Sequence, residues 1–235
     1  MRLDSSSIGV RRASRGVDVF PSVCPDVVVR EARLEDCWQV AETHCSSFFP
    51  NYTFPLDLAL RVDRFVALLS GFSVPSGCMR SCLVAVTARG TDDTLFIGSE
   101  GFIERKLGFN QGTVAGILTV DTVADYLPRK GPFRVRRTGI AYISNVAVRE
   151  SQRRRGIGRQ LVAKAEALAR RWGCRAIALH CDVTNVAAVR LYRSQGYKCI
   201  RIPEHANWPQ PRTSPDTRFY LMMKLLATQQ TTEVR

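Results

Sequence analysis

Between Ile140 and Trp172 the chain reads IAYISNVAVRESQRRRGIGRQLVAKAEALARRW: a β-type run, a short arginine-rich turn, two glycines one residue apart, then a long Ala- and Leu-rich helix. A strand that hands a glycine turn to a helix start builds an anion site. The first turn of a helix leaves backbone N–H groups unpaired and carries partial positive charge, and glycine lets the chain come close to what it holds. The spacing is Arg153-x-x-Gly156-x-Gly158, neither the dinucleotide fingerprint GxGxxG nor the P-loop GxxxxGK[ST]. A phosphate ligand of another kind is implied.

The charge is gathered in the same region. Of a formal net charge of +13, the stretch from Arg129 to Arg171 carries 13 Lys or Arg against two Glu. Such a patch welcomes an anion, and nucleic acid is one reading of it. With 235 residues, 45% hydrophobic content and no apolar run long enough to span a bilayer, the chain is expected to form one domain with terminal tails. The eight cysteines (24, 37, 45, 78, 82, 174, 181 and 199) form no CxxC pair. A domain of this size has a core without disulfide staples, so free thiols in a reducing compartment are expected. The three histidines show no metal-site spacing, and no zinc site is expected.

In chain order, residues 1–26 hold five serines and four arginines without helical period, a composition shared by transit peptides and disordered termini, although Asp4 and Asp18 are atypical of the former. Val27 to Val29 begins a strand, and Leu34 to Phe48 reads as a helix with Trp38, Ala41 and Cys45 on one face. Pro55 opens a second helix, in which Leu58, Val62, Phe65, Val66 and Leu69 recur at helical spacing and are expected to be mostly core, with Gly71 as the stop. Cys82 to Ala88 and Thr113 to Val123 suit antiparallel strands, separated by an inserted loop from Gly90 to Gly112. Leu127 to Arg137 is a basic, structure-breaking segment: a solvated turn, or an electropositive rim. Gly173 ends the long helix, Ala176 to Cys181 is a strand, Asn185 to Gln195 is a helix closed by Gly196, and Tyr197 to Ile202 and Asp216 to Leu226 are the last strands. That order predicts an α/β fold, a mixed sheet flanked by helices.

The run NVAVRESQRRRGIG followed by a helix resembles the acetyl-CoA motif (Q/R)xxGx(G/A) of the GNAT N-acetyltransferases. Downstream, LHCDVTNVAAVRLYRSQGY resembles the second signature of that family, a strand, then an Asn opening a helix, a Tyr seven residues on, and Gly-Tyr. VAGILTVDTVADYLPRKGP with GIAYISNVAVRE looks like the plastid branch of plants, similar to its dual lysine and N-terminal acetyltransferases. The resemblance implies the GNAT fold, a twisted mixed sheet flanked by helices, over residues 27–226, with residues 1–26 as a transit peptide or disordered segment and 227–235 as a tail. It also implies a plastid location, acetyl-CoA as cosubstrate with no metal, and protein or peptide amines as acceptors. No stable nucleic-acid partner and no membrane span are expected.

The family pattern assigns roles residue by residue. Backbone groups of Val146, Ala147 and Val148 would pair with pantetheine and face the acyl carbonyl. The amides from Arg154 through Arg155, Gly156, Ile157 and Gly158 to Arg159 would hold the diphosphate, with Arg153 in the motif's first position. Asn185, Val186 and Ala187, which open the next helix, would also meet the cofactor. Tyr192 would lie beside the thioester sulfur as general acid, or is a core aromatic. Tyr142 and His180 stand where some N-terminal acetyltransferases steer a water that takes the amine's proton; a buried structural histidine is the other reading. Trp208 and His205, in the proline-rich connection Glu204 to Pro215, are candidate acceptor contacts. The implied reaction is direct transfer of acetyl in a ternary complex to protein α-amines and lysine ε-amines. A small-amine acetyltransferase, or a CoA-binding or basic nucleic-acid-binding module without turnover, are the alternatives.

Overall fold

The computed structural model describes residues 26–70, 77–87, 112–122, 139–201 and 217–226. Gly71, most of the insertion before Gly112, the basic segment up to Arg137, the connection carrying His205 and Trp208, and both terminal tails lie outside the described residues.

A seven-stranded mixed sheet forms the centre. Its strands are β1 (Val27–Glu31), β2 (Arg80–Thr87), β3 (Thr113–Asp121), β4 (Ile140–Val148), β5 (Ala176–Asp182), β6 (Lys198–Cys199) and β7 (Phe219–Leu225), arranged β1-β2-β3-β4-β5-β7-β6. Among the described strands only β4 and β5 pair in parallel. Four α-helices among the described residues flank the sheet: α1 (Cys37–Phe48), entered through a 3-10 turn at Leu34–Asp36, α2 (Leu56–Ser70), α3 (Ile157–Arg171) and α4 (Val186–Ser194). None of the described helices is long and apolar enough to cross a membrane.

The alternation of each strand divides the core into two layers. Leu83, Ala85, Ala115, Leu118, Val120, Ala141 and Ile143 meet the stripe Ile157, Leu161, Val162, Ala165 and Leu168 of α3, all buried. On the other face, Val84, Val114, Ile117 and Ala147 pack with Val40 of α1. Burying one such Leu or Ile contributes about 1.5–3 kcal/mol, so α3 is held to the sheet by its apolar stripe. Gly116 sets how closely it sits: a Cβ there would lie 3.0 Å from Ile157 Cγ2, 3.1 Å from the Ala147 carbonyl and 3.2 Å from Leu161 Cδ1. The glycine draws the start of α3 against β3 and β4.

Both helices of this layer end in the same way. Gly173 at φ +74° lets Cys174 N–H reach the Ala169 carbonyl at 2.9 Å, and Gly196 at φ +90° lets Tyr197 N–H reach the Tyr192 carbonyl at 3.0 Å. These are 6→1 bonds of the Schellman cap, and the second brings the Tyr192 and Tyr197 rings edge to face at 5.8 Å. Tyr197 therefore belongs to a cap, and the strand expected from Tyr197 shortens to Lys198–Cys199.

Ionic clusters tie elements together. Asp36, buried, accepts from Arg30 Nη2 at 3.0 Å and from Arg33 N–H at 2.8 Å. Arg149, just past β4, donates to Glu42 at 2.7 Å and Thr43 Oγ1 at 3.2 Å of α1.

The core expectation for α2 is overturned. Leu58, Val62, Val66 and Leu69 are exposed, and Phe65 packs edge to face on the half-exposed Trp38 of α1. The reason is orientation: α2 lies on α1, and it turns Arg64, Ala67 and Leu68 toward the sheet instead of its apolar stripe.

Candidate active site

β4 carries one residue more than its partner. Ile117 faces Ala147 while Thr119 faces Ser144, so two steps on β3 match three on β4, and Asn145 takes the extra place at φ +53°. Asparagine tolerates that left-handed conformation better than most residues. Beyond this point β4 also leaves β5. Their parallel pairing ends at Ile143 and Leu179, after which β5 pairs only with β7. The result is a slot between Ser144–Val148 and His180–Asp182. Arg149 N–H bonds to the Ala115 carbonyl of β3, so strand alternation turns the N–H of Val148 to the opposite edge, into the slot.

The turn after β4 continues the slot. Arg154 at φ +67° and Gly156 at φ +75° wind the backbone into the start of α3, whose first bond runs from Gln160 N–H to the Gly156 carbonyl. The amides of Ile157 and Gly158 precede that bond and point out of the helix end. A Cβ on Gly156 would meet nothing within 4 Å, so its requirement is the positive φ; one on Gly158 would come within 3.2 Å of Leu191 Cδ2 of α4. The arginine side chains brace the turn itself. Arg153 Nε donates to the Val148 carbonyl at 3.3 Å, and Arg155 donates to Gln152.

Tyr142 and His180 meet where the strands part. The phenol oxygen is 2.9 Å from Nδ1 of the imidazole, on the face that looks toward α1 and α2. Burial pushes the His180 pKa down to about 4, so the ring is neutral at physiological pH. A ring held neutral suits orienting a water and relaying its proton rather than storing charge. Tyr192 approaches from the opposite face, buried among Cys181, Leu179 and Val189. Burial first, then the neighbouring Cys181 and Tyr142, hold its phenol above the ordinary tyrosine value, so it stays a proton donor.

A cavity of about 380 Å³ opens on the α1 and α2 side. Its floor is two cross-strand rows, Arg80–Asp121–Tyr142 and Cys82–Thr119–Ser144, and its roof is Arg64, Ala67 and Leu68 of α2. Asn145 and Ser144 line it where the slot begins.

The structure thus brings together Tyr142, His180, Val146, Ala147, Val148 and the turn from Arg153 to Arg159 at one end of the sheet. Asn185 has a second duty, because its Oδ1 accepts from Ala188 N–H at 3.0 Å and caps α4; Val186 is exposed beside it, and Ala187 follows. Trp208 and His205 lie outside the described residues. Sequence reasoning missed Arg64, Asn145 and Gly116. An asparagine and a glycine interrupting β-branched runs were the available signals for the last two. Among the described residues no group of three or more His, Cys, Asp or Glu is placed to hold a metal ion.

Comparisons with known proteins agree with this fold. The family model described as "Acetyltransferase (GNAT) family" matches residues 88–197. GCN5-related N-acetyltransferase 4, chloroplastic, of Arabidopsis thaliana is 64% identical over 222 residues, covering 93% of this chain and 76% of that protein. A GCN5-related N-acetyltransferase from Kribbella flavida shares 26% identity at a TM-score of 0.50, covering 86% of this chain and 98% of the other. Ard1 from Thermoplasma volcanium, at 19% identity and a TM-score of 0.51 over 86% and 99% of the two chains, shares the fold.

Proposed function

We propose, because this chain belongs to the GNAT acetyltransferase family, that it acetylates protein N-terminal α-amines and lysine ε-amines by direct transfer in a ternary complex. The observation that carries this reading is the placement of Tyr142 with His180 on one face of the slot and Tyr192 on the other. Two proton-handling groups on opposite faces suit an amine arriving from one side and a leaving thiolate on the other.

The residues fit acetyl-CoA. Helix-end amides at Ile157 and Gly158, open space over Gly156 and the unpaired edge of β4 offer a diphosphate cradle continuous with a strand-like seat for pantetheine. When bound, acetyl-CoA supplies the acetyl group as a thioester. Backbone N–H groups of β4 facing the slot, that of Val148 among them, stabilise charge on the acyl oxygen. Tyr142 and His180 orient a water that takes the amine's proton, a greater need for lysine, near 10.4, than for an α-amine, near 8. The Tyr192 hydroxyl donates a proton to the departing sulfur. Asn185 sets the start of α4 and hence the position of Tyr192, two helical turns on.

Location in a plastid is part of the same proposal. It is supported by the relative at 64% identity, which is named as chloroplastic, and by the Ser- and Arg-rich composition of residues 1–26. The deciding experiment incubates the purified protein with acetyl-CoA and a proteome-derived peptide library and maps modified amines by mass spectrometry. Acetylated α-amines and lysines support the reading. Turnover confined to small aryl or alkyl amines replaces it with a small-amine acetyltransferase, and binding of acetyl-CoA without any turnover replaces it with a CoA-binding module.

A further inference from the structure

The charges around the 380 Å³ cavity are unevenly satisfied. Arg80 Nε lies 3.6 Å from Asp121 on the neighbouring strand, and Glu31, at the rim, is 3.8 Å from Arg171. Arg64 has no such partner: it makes no ion pair or hydrogen bond with any described residue, and its Nε is shut off from solvent without an acceptor. Burial pulls its pKa down, and the nearby Cys82 thiol, pushed up to about 11 by burial, stays neutral and offers no compensating charge. A guanidinium held half-desolvated without a counter-ion is costly in the free protein, and the cost is relieved when an anion arrives.

We propose that Arg64 anchors a carboxylate carried by the acceptor close to its reacting amine. The proposal deepens the acceptor reading above and rests on it. The cavity joins the two ends of such a molecule: Tyr142 lies in its floor, at the edge of the slot where the amine must react, and Arg64 lies in the roof on α2. Asp121 faces Tyr142 across β3 and β4 and is paired with Arg80, so among the described residues of the cavity Arg64 is the cation without a carboxylate partner. A planar guanidinium matches a carboxylate in a two-point bond. A monoanion fits better than a phosphate dianion, because Asp121 and Glu31 line the same cavity and would repel the second charge. The carboxylate has two possible sources, an Asp or Glu side chain next to the acetylated residue of a peptide, or the α-carboxylate of a free amino acid.

The test compares the parent with Arg64→Gln and Arg64→Lys. Acceptors are two peptides with free α-amines differing only in Glu or Gln at the second residue, and a free amino acid beside its carboxamide. The readouts are kcat/KM for each acceptor, acetyl-CoA affinity by calorimetry and melting temperature. The parent should favour the Glu peptide by about 10- to 100-fold, the value of a charge-assisted hydrogen-bond pair. Arg64→Gln should bring the Glu-to-Gln ratio near one, with acetyl-CoA affinity kept. Arg64→Lys, which keeps the charge and folds even if the Gln variant does not, should retain a reduced preference because the planar fork is lost. A parent that acetylates both peptides equally and both amino-acid forms equally overturns the inference and leaves the protein-acceptor reading standing. A preference found only in the amino-acid pair, and lost in Arg64→Gln, upholds Arg64 as a carboxylate anchor and assigns the carboxylate to a free amino acid. Turnover only on carboxylate-free small amines overturns both.

Discussion

The Tyr142 hydroxyl lies 2.9 Å from Nδ1 of His180, across two strands whose pairing ends one residue beyond the tyrosine. A pair that steers one water acts as a unit, so losses should not add. Tyr142→Phe and His180→Gln should each lower kcat with acetyl-CoA affinity kept, and the double variant should be little worse than the poorer single. The loss should be deeper for lysine than for an α-amine. With His180 held at about 4, kcat against pH should show no break near 6.5, only the acceptor amine's own limb. Single variants with parental rates for both acceptors would remove the pair from the reaction.

Tyr192→Phe keeps the ring that packs at 5.8 Å on Tyr197 and removes only the proton. Turnover should fall by about 10² to 10⁴ under conditions where chemistry limits the rate, with little change in melting temperature. A Phe variant that turns over like the parent makes Tyr192 a packing residue.

His44 and His180 should together make the fold acid-sensitive before its carboxylates titrate. Burial lowers both to about 4 from an ordinary 6.5, so the unfolded chain binds more protons than the folded one between those values. Stability is therefore at its full value above about pH 6.5 and declines as pH falls toward 4. Denaturant midpoints measured across that window should fall in the parent and fall less in His44→Gln. Asp36 adds a further loss at lower pH: burial opposes its charge, but the bonds from Arg30 and Arg33 outweigh burial and hold the carboxyl below its usual range.

The three glycines around the start of α3 should fail differently. Gly156→Ala meets no atom but forces a side chain into φ +75°, a cost of about 1–2 kcal/mol, and should weaken acetyl-CoA binding by distorting the turn. Gly158→Val should press on Leu191 and displace α4, lowering kcat as well as affinity. Gly116→Val, against Ile157 and Leu161, should cost the most stability of the three, because the backbone carbonyl of Ala147 cannot yield. Melting temperatures and calorimetric titrations of the three variants give the ranking, and a Gly116→Val protein as stable as the parent contradicts it.

The turn and its helix were legible because Gly156 and Gly158 follow a β-run, and the caps because Gly173 and Gly196 end helical periods. The stripe on α2 misled for a physical reason. Helical spacing shows which residues share a face and not what that face meets, and α2 turns Arg64 to the sheet while Val62 and Val66 face outward. Tyr142 and His180 are 38 residues apart, and only the parallel register of β4 and β5 joins them. In IAYISNVAV the asparagine is the one local sign of an extra residue, and it does not say that the strand changes its facing there.

That extra residue gives β4 two parities. Ala141 and Ile143 point to the α3 layer from odd positions, whereas Val146 and Val148 reach the same layer from even ones. Drawing Asn145 into the alternation, with no residue left over, would invert the second half: Ala147 would turn to α3, and Val146 and Val148 would crowd the α1 layer. A bulge flattened there with its residue kept would thus act as a frame error in three dimensions, leaving the first half of the strand in place and exchanging inside for outside in the half that borders the slot.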